Sequence, residues 1–470
     1  MSSSPFSVPN IRLFILLRVC FNARFYYPVF TILFLDFGLT LEQFAILNAA
    51  WAGTIVLAEV PSGALADILG RKRLLQWTAL LMILEMSVLS FVPLGDPGLV
   101  FWAFFCNRVL SGLAEAMASG ADEALAYDSL VLRGLAEEWP RVLDIQMRIR
   151  SIGFVVSMTV GALVYDPDTV NQVLGWLNTA GSVTQKESMR YPVYLTLLLA
   201  VLAFVTTLFM KEARVDSGTV PHPRSFGGKV ADSLRLVRQA GAWIAATPFA
   251  MAVILYAMTF DHSLRMIVTM TSQYFRLIGL PEAVFGLIGS GIGLLGLVVP
   301  RIARAMVRRF TPAWNLGILS LIAFSGLLGL TGFFPYLGVV PMVLVFVGLM
   351  LTTFFSSHYL NQVTASSHRA TVLSFKGLGC NLAYGVIGML YAGLIEHLRE
   401  GLNFEYPSWT REALENETFR RSIDWFPWYT MVAAAVVTLV FLRFYRQNRM
   451  AFVAGGEGKV KPQEQVSRRG

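Results

Sequence analysis

Apolar residues run through this chain in long stretches interrupted by charges and Pro/Gly turns, and none alternates with the two-residue period of a strand. Cut at those interruptions, the stretches fall at roughly 12–37, 42–66, 73–94, 98–130, 142–165, 190–210, 245–275, 282–303, 313–335, 338–362, 370–396 and 424–446. A helix needs about 20 residues to cross hydrocarbon, whereas a barrel strand needs about ten. The pattern predicts an all-α membrane protein of twelve transmembrane helices. The first stretch runs past the ~15 apolar residues of a cleaved signal, and no small-residue cleavage site follows, so it is expected to remain as the first helix.

Composition supports this reading. Hydrophobic residues make up 55% of the 470 and charged ones 14%, against about 45–50% and 25% in ordinary globular chains. Mean hydropathy is +0.58. A soluble enzyme is effectively excluded. Cys20, Cys106 and Cys380 all fall in apolar segments, at neither metal nor disulfide-framework spacing, and read as small core residues.

The net charge of +8 would suit nucleic acid if the bases were pooled, but they are not. Of the 38 Lys and Arg residues, 24 fall on the side of the N-terminus and seven on the other, counting alternate connections. Short cytoplasmic loops carry such an excess, so both termini are expected inside and the basic balance is a topology signal. The lipid bilayer is the expected partner; nucleic acid is not.

The chain divides into a first six-helix unit (1–210), a linker (211–244), a second six-helix unit (245–447) and a Gly-rich, charged tail (448–470) expected to be disordered. In the linker Val230, Leu234 and Val237 recur at helical spacing among charges, which predicts an amphipathic helix on the membrane surface. At an offset of 241 the run from Gly38 to Leu47 lies over that from Gly279 to Ile288, with three identities and three similar residues. Two parallel six-helix repeats are the economical interpretation. Asn416-Glu417-Thr418 is a glycosylation triplet of a kind common by chance.

Seven bases remain inside helices: Arg18, Arg24, Arg108, Arg148, Arg150, Arg265 and Lys376. A charge there costs about 2.5–3.5 kcal/mol on insertion scales, so each needs a partner or a watery cavity. Arg108, Glu115 and Asp122 recur every seven residues in helix four, drifting about 20° per step, and form one polar stripe. Either the carboxylates carry a proton whose affinity Arg108 tunes, or the stripe is a static strut; Glu85 and Glu59 are rival carboxylates. The 241 offset carries Arg24 onto Arg265, placing one arginine at equivalent depths of helices one and seven. Two guanidiniums on one cavity would clamp a carboxylate or phosphate. The competing reading pairs Arg265 with Asp261, one turn away, and Arg24 with an acid from elsewhere such as Glu115. Asn22, Tyr26, Tyr27, His262, His358 and Asn361 are polar neighbours that would shape the same substrate site. Gly291-Ile292-Gly293-Leu294-Leu295-Gly296 matches a dinucleotide fingerprint literally, but it lies in an apolar helix with no strand before it, so it reads as helix packing. Nothing points to a metal, a cofactor or ATP.

Between helices two and three stands Gly63-Ala64-Leu65-Ala66-Asp67-Ile68-Leu69-Gly70-Arg71-Lys72-Arg73. It resembles the loop signature of the major facilitator superfamily, G-x-L-a-D-x-x-G-R-[RK]-x. Arg108-Val109-Leu110-Ser111-Gly112-Leu113-Ala114-Glu115-Ala116 is similar to that family's helix-four pattern, while the helix-five Gly-Pro pattern of its drug antiporters is absent. The segments 124–130 and 369–375 look like those of poorly characterised bacterial members, which implies a bacterial inner membrane. The resemblance implies two pseudo-symmetric bundles rocking about a mid-membrane site. Paired arginines on helices one and seven also resemble those of the family's organophosphate exchangers. In the signature, Gly63 and Gly70 allow close approach and a tight turn. Asp67 would face the start of helix eleven, and Arg71 or Arg73 would hold Asp128, locking the halves outward-facing.

The chain is thus expected to be a secondary transporter rather than an enzyme. It would move a small organic solute, an anion being one option, by proton coupling or exchange. Proton-coupled efflux of hydrophobic cations and a non-cycling receptor or assembly factor remain alternatives. Oligomeric state is not legible.

Overall fold

The computed structural model describes residues 4–179, 181–213, 226–364 and 369–447; the side chains of Ala64, Asp67, Phe226, Arg369, Ala370 and residues 444–447, and the tail from residue 448, lie outside that description. Among the described residues the chain is helical, with twelve helices long and apolar enough to cross a membrane. The first span, α1, comes in two pieces, Pro9–Asn22 and Phe30–Asp36. It is followed by α2 (Leu41–Leu69), α3 (Arg71–Phe91), α4 (Pro97–Ala118, continued by Ala121–Val131), α5 (Trp139–Tyr165) and α6 (Tyr191–Phe209). The second half holds α7 (Pro248–Thr269), α8 (Glu282–Arg309), α9 (Pro312–Leu330), α10 (Val339–Val363), α11 (Arg369–Glu405) and α12 (Trp425–Gln447). An even number of crossings puts both termini on one face, here called the terminal face.

Local chemistry sets these boundaries. Thr40 and Gln43 form a reciprocal capping box that starts α2. Gly70, at φ 86°, makes the reversal between α2 and α3, a conformation open to glycine. Glu212, just beyond α6, accepts from the backbone N–H of Arg71 (3.1 Å) and Lys72 (2.9 Å), and so caps the positive end of α3.

The expected repeat is visible in the elements. The 241 offset carries Leu41 onto Glu282, where α8 begins, and Phe30–Asp36 onto the short helix Thr271–Leu277. The main contacts between halves obey the same symmetry: α2 packs on α11, and its mate α8 packs on α5. At Gly286 an added Cβ would lie 2.1 Å from the carbonyl oxygen of Met158, so α8 approaches the α5 backbone as closely as only glycine permits. Gly293, from the fingerprint-like run, meets the Phe154 ring in the same seam.

Two expectations need correction. The linker does form a helix, Phe226–Ala246, but it packs on α2, α7 and α11, with Gly241 against Phe375, rather than lying on lipid alone. Cys106 is exposed, whereas Cys20 and Cys380 are buried.

Candidate functional site

Helix α1 is broken at Ala23–Tyr26. The cause is Pro28, which lacks an N–H to offer the Arg24 carbonyl and whose ring would clash with it. The freed Phe25 N–H donates to Thr196 Oγ1 on α6 (3.1 Å). The Phe25 carbonyl presses on Gly161 of α5, where a Cβ would stand 1.8 Å away. Unwound backbone inside the bilayer is tolerated because these neighbours satisfy it.

Behind this break the two halves enclose a cavity of about 330 Å³. Arg24, Tyr26, Tyr27, Arg108, Glu115 and Arg265 all border it, so six side chains singled out from the sequence converge. Trp51, Phe285, Phe346 and Tyr384 supply aromatic wall that sequence reasoning did not identify, because a ring in an apolar span carries no signal of which way it faces.

The two pseudo-equivalent arginines are both already paired. Arg24, 3% exposed, forms an ion pair with Glu85 of α3, which is completely buried, and also donates to Tyr26 Oη (3.4 Å). The partner is therefore Glu85 rather than Glu115. Arg265 pairs with Asp261 one turn below, donates to Asn381 Oδ1 (2.9 Å) and lies over the Tyr384 ring.

Arg108 differs. Its Nε and Nη2 both donate to Asn107 Oδ1 (3.1 and 2.9 Å), and its guanidinium lies over the Phe30 and Phe34 rings. It is buried and has no acidic partner among the described residues. Glu115, two turns along the same helix, is exposed within the cavity and likewise has no ion-pair or hydrogen-bond partner among them. Asp122 does not continue the stripe: the helix breaks at Ser119 and Gly120 (φ 76°), and Asp122 pairs with Arg18 Nε of α1 at 2.7 Å.

The remaining candidates lie off the cavity wall. Asn22 donates to the Arg18 carbonyl (2.7 Å). His262 is held between the Met258 carbonyl (2.5 Å) and Tyr429 Oη of α12 (2.8 Å), and faces away from the pocket. His358 stacks on Phe354, and Asn361 donates to Ser357 Oγ (3.4 Å), both towards the terminal end of α10.

Signature residues gather on the terminal face. Arg71 pairs with Asp128 and donates to the Ala124 carbonyl (2.8 Å), while Arg73 is exposed and takes no part. Both members of the Arg71–Asp128 pair belong to the first half, so it braces one bundle rather than joining two. Gly63, Glu59, Arg71 and Ser374 border a smaller cavity of about 280 Å³, across which Ser374 Oγ donates to Glu59 (3.3 Å).

Opposite the termini the halves are sealed by groups the sequence reading passed over. Arg276 is bidentate to Asp36 of α1 (2.8 and 2.7 Å) and also pairs with Glu282 of its own half. Burial works against its charge, yet the hydrogen bonds and charge of Asp36, with Tyr165 and Glu282, prevail and hold the guanidinium above the ordinary arginine pKa. Arg399 of α11 repeats the arrangement, pairing with Glu42 of α2 and with Glu415 of its own half (3.3 Å). Arg411 adds a bond to the Gly38 carbonyl (3.1 Å). The cavity is thus closed opposite the termini, and the Arg71–Asp128 pair is present in that arrangement.

A sequence profile of the Major Facilitator Superfamily matches residues 13–389. Among solved structures, an inward-facing, unoccupied bacterial homologue of the human lysosomal transporter Spinster is 14% identical, covers 98% of this chain and 100% of its own, and superposes with a TM-score of 0.68. The nucleoside transporter NupG, as its D323A mutant, gives 12% identity, 93% and 99% coverage and a TM-score of 0.66. A D-xylose-proton symporter gives 12%, 93% and 97%, and 0.60. No curated protein matches.

Proposed function

This chain belongs to the major facilitator superfamily, and from that premise we propose that it is a proton-coupled secondary transporter of a small organic anion, with Arg108 receiving the anion and Glu115 the proton. The observation that carries the proposal is that these two, alone among the described charges that border the cavity, have no ion-pair partner. A buried guanidinium without a counter-charge attracts an anion, and an exposed carboxylate in a cavity that opens to one side in turn is placed to exchange protons.

Alternating access supplies the cycle. The locks at Asp36–Arg276 and Glu42–Arg399 hold the end opposite the termini shut, and the Ser374–Glu59 bond joins the halves nearer the terminal face, so each must part in turn during the cycle. The terminal face, with its excess of Lys and Arg, is the cytoplasmic one in this reading, so the end held by Arg276 and Arg399 is the outer one; a bacterial plasma membrane fits the resemblances of segments 124–130 and 369–375. Efflux of hydrophobic cations is disfavoured by the unpaired Arg108.

Proteoliposomes offered a pool of small organic acids under an imposed pH gradient test the proposal. Wild-type protein is expected to accumulate at least one of them, and Arg108→Gln none. Accumulation of cations alone, or equal uptake by Arg108→Gln, would overturn it.

A further inference from the structure

Arg24, Arg108, Arg265 and Glu115 border the cavity, two further carboxylates, Glu85 and Asp261, pair with two of these arginines, and that pairing restricts the cargo. Arg24 is neutralised by Glu85 and Arg265 by Asp261. Seven residues of helix separate Arg108 from Glu115 by about 10 Å along the axis, too far for contact. With Glu115 ionised the six groups sum to zero; with Glu115 protonated they carry one positive charge, centred on Arg108. Resting on the transport reading above, we propose that the cargo is a monoanion with a flat apolar body, carried with one proton so that the cycle moves no net charge.

The walls argue for the body. Trp51, Phe275, Phe285, Phe346 and Tyr384 border a cavity of about 330 Å³, at the small end of the range for ligand pockets. Arg108 sits against Phe30 and Phe34, its Nε edge already spent on Asn107, and this leaves room for a single acidic group. A dianion would need a second free cation. Recruiting Arg24 would strand fully buried Glu85 without its counter-charge, the costly way to break a buried pair. A neutral solute would leave Arg108 buried and uncompensated. Glu115 faces Arg18, Arg24 and Tyr27 from α1 and its break and Glu85 from α3, with Arg108 two turns away on its own helix. All but Tyr27 and Glu115 itself are fixed charges or already paired, so the proton that accompanies the anion resides on Glu115.

Benzenesulfonate, a flat monoanion that does not cross lipid unaided, is the probe, with benzenesulfonamide as its neutral and phenyl phosphate as its dianionic analogue near neutral pH. Ligand-induced thermal stabilisation of the full-length protein should give an apparent affinity for benzenesulfonate at least about tenfold tighter than for either analogue, and Arg108→Gln should remove the difference. In proteoliposomes a pH gradient should drive benzenesulfonate accumulation, while a potassium diffusion potential of either sign leaves the initial rate unchanged. The electrical test needs only wild-type protein, so a poorly folded variant does not block it. Equal affinity across the three probes, no binding of benzenesulfonate, or a rate that follows the potential would overturn the assignment. Proton-driven, Glu115-dependent accumulation of a dianionic solute would do so too, while leaving the anion-transporter reading in place.

Discussion

Thr31 and Ser272 stand 241 residues apart and touch: the Thr31 backbone N–H donates to Ser272 Oγ at 2.9 Å. That separation is the offset that superposes the two repeats, so equivalent positions meet each other. In a parallel repeat this happens only beside the pseudo-two-fold axis, and here it happens at the closed end of the cavity. Cysteines at Thr31 and Ser272 are therefore expected to cross-link under mild oxidation and to reduce solute flux at least about tenfold, with recovery on reduction. A cross-linked protein that transports normally would mean that this end never opens.

Arg276 and Arg399 each hold one acid from the opposite half and one from their own. When the halves part, each keeps its own acid, so opening leaves neither cation bare. Partly exposed pairs of this kind are worth about 0.2–1 kcal/mol. Asp36→Asn or Glu42→Gln should accordingly shift the ratio of open to closed states at this face by up to about fivefold, and the double variant by more. Spin-label distances across the face read the populations; high salt should move wild-type protein in the same direction.

Arg24 and Glu85 form a strut in the bilayer. Glu85→Gln leaves a buried cation uncompensated and should destabilise the protein by about 3–5 kcal/mol. Arg24→Met with Glu85→Met removes both charges and should recover most of that loss. Thermal unfolding in a fixed detergent distinguishes the strut from a substrate clamp, in which the double variant would remain stable but Arg24→Met alone would be no less stable than wild type.

Gly161 receives the carbonyl of the unwound segment. Gly161→Val should push Phe25 back, with a cost in the range of about 1–3 kcal/mol typical of overpacking, and lower solute affinity because Tyr26 and Tyr27 ride on that segment. Stability and affinity both matching wild type would show that the break in α1 is not held by α5.

The fold was legible because its signals are long: apolar stretches of spanning length, a loop signature in the first basic connection, and a repeat offset that recurs as Leu41 over Glu282. The site was legible in part. Spacing placed Arg24, Arg108, Glu115 and Arg265 at mid-membrane, but pairing is a property of three dimensions. Glu85 looked like any acid in an apolar span until α3 brought it to the break in α1. The stripe through Asp122 failed because heptad spacing presumes an unbroken helix, and Ser119-Gly120 interrupts this one. Asp36 and Arg276, 240 residues apart, lie near the repeat offset, and that near-symmetry was the one available hint that they meet.

Whether Glu115 is the proton site can be measured by comparing net accumulation with exchange in one preparation. Proteoliposomes holding Glu115→Gln are expected to exchange labelled for unlabelled solute at a rate near wild type, yet to accumulate none under a pH gradient that drives wild-type protein well above equilibrium. Gradient-driven accumulation by Glu115→Gln equal to wild type would contradict the account.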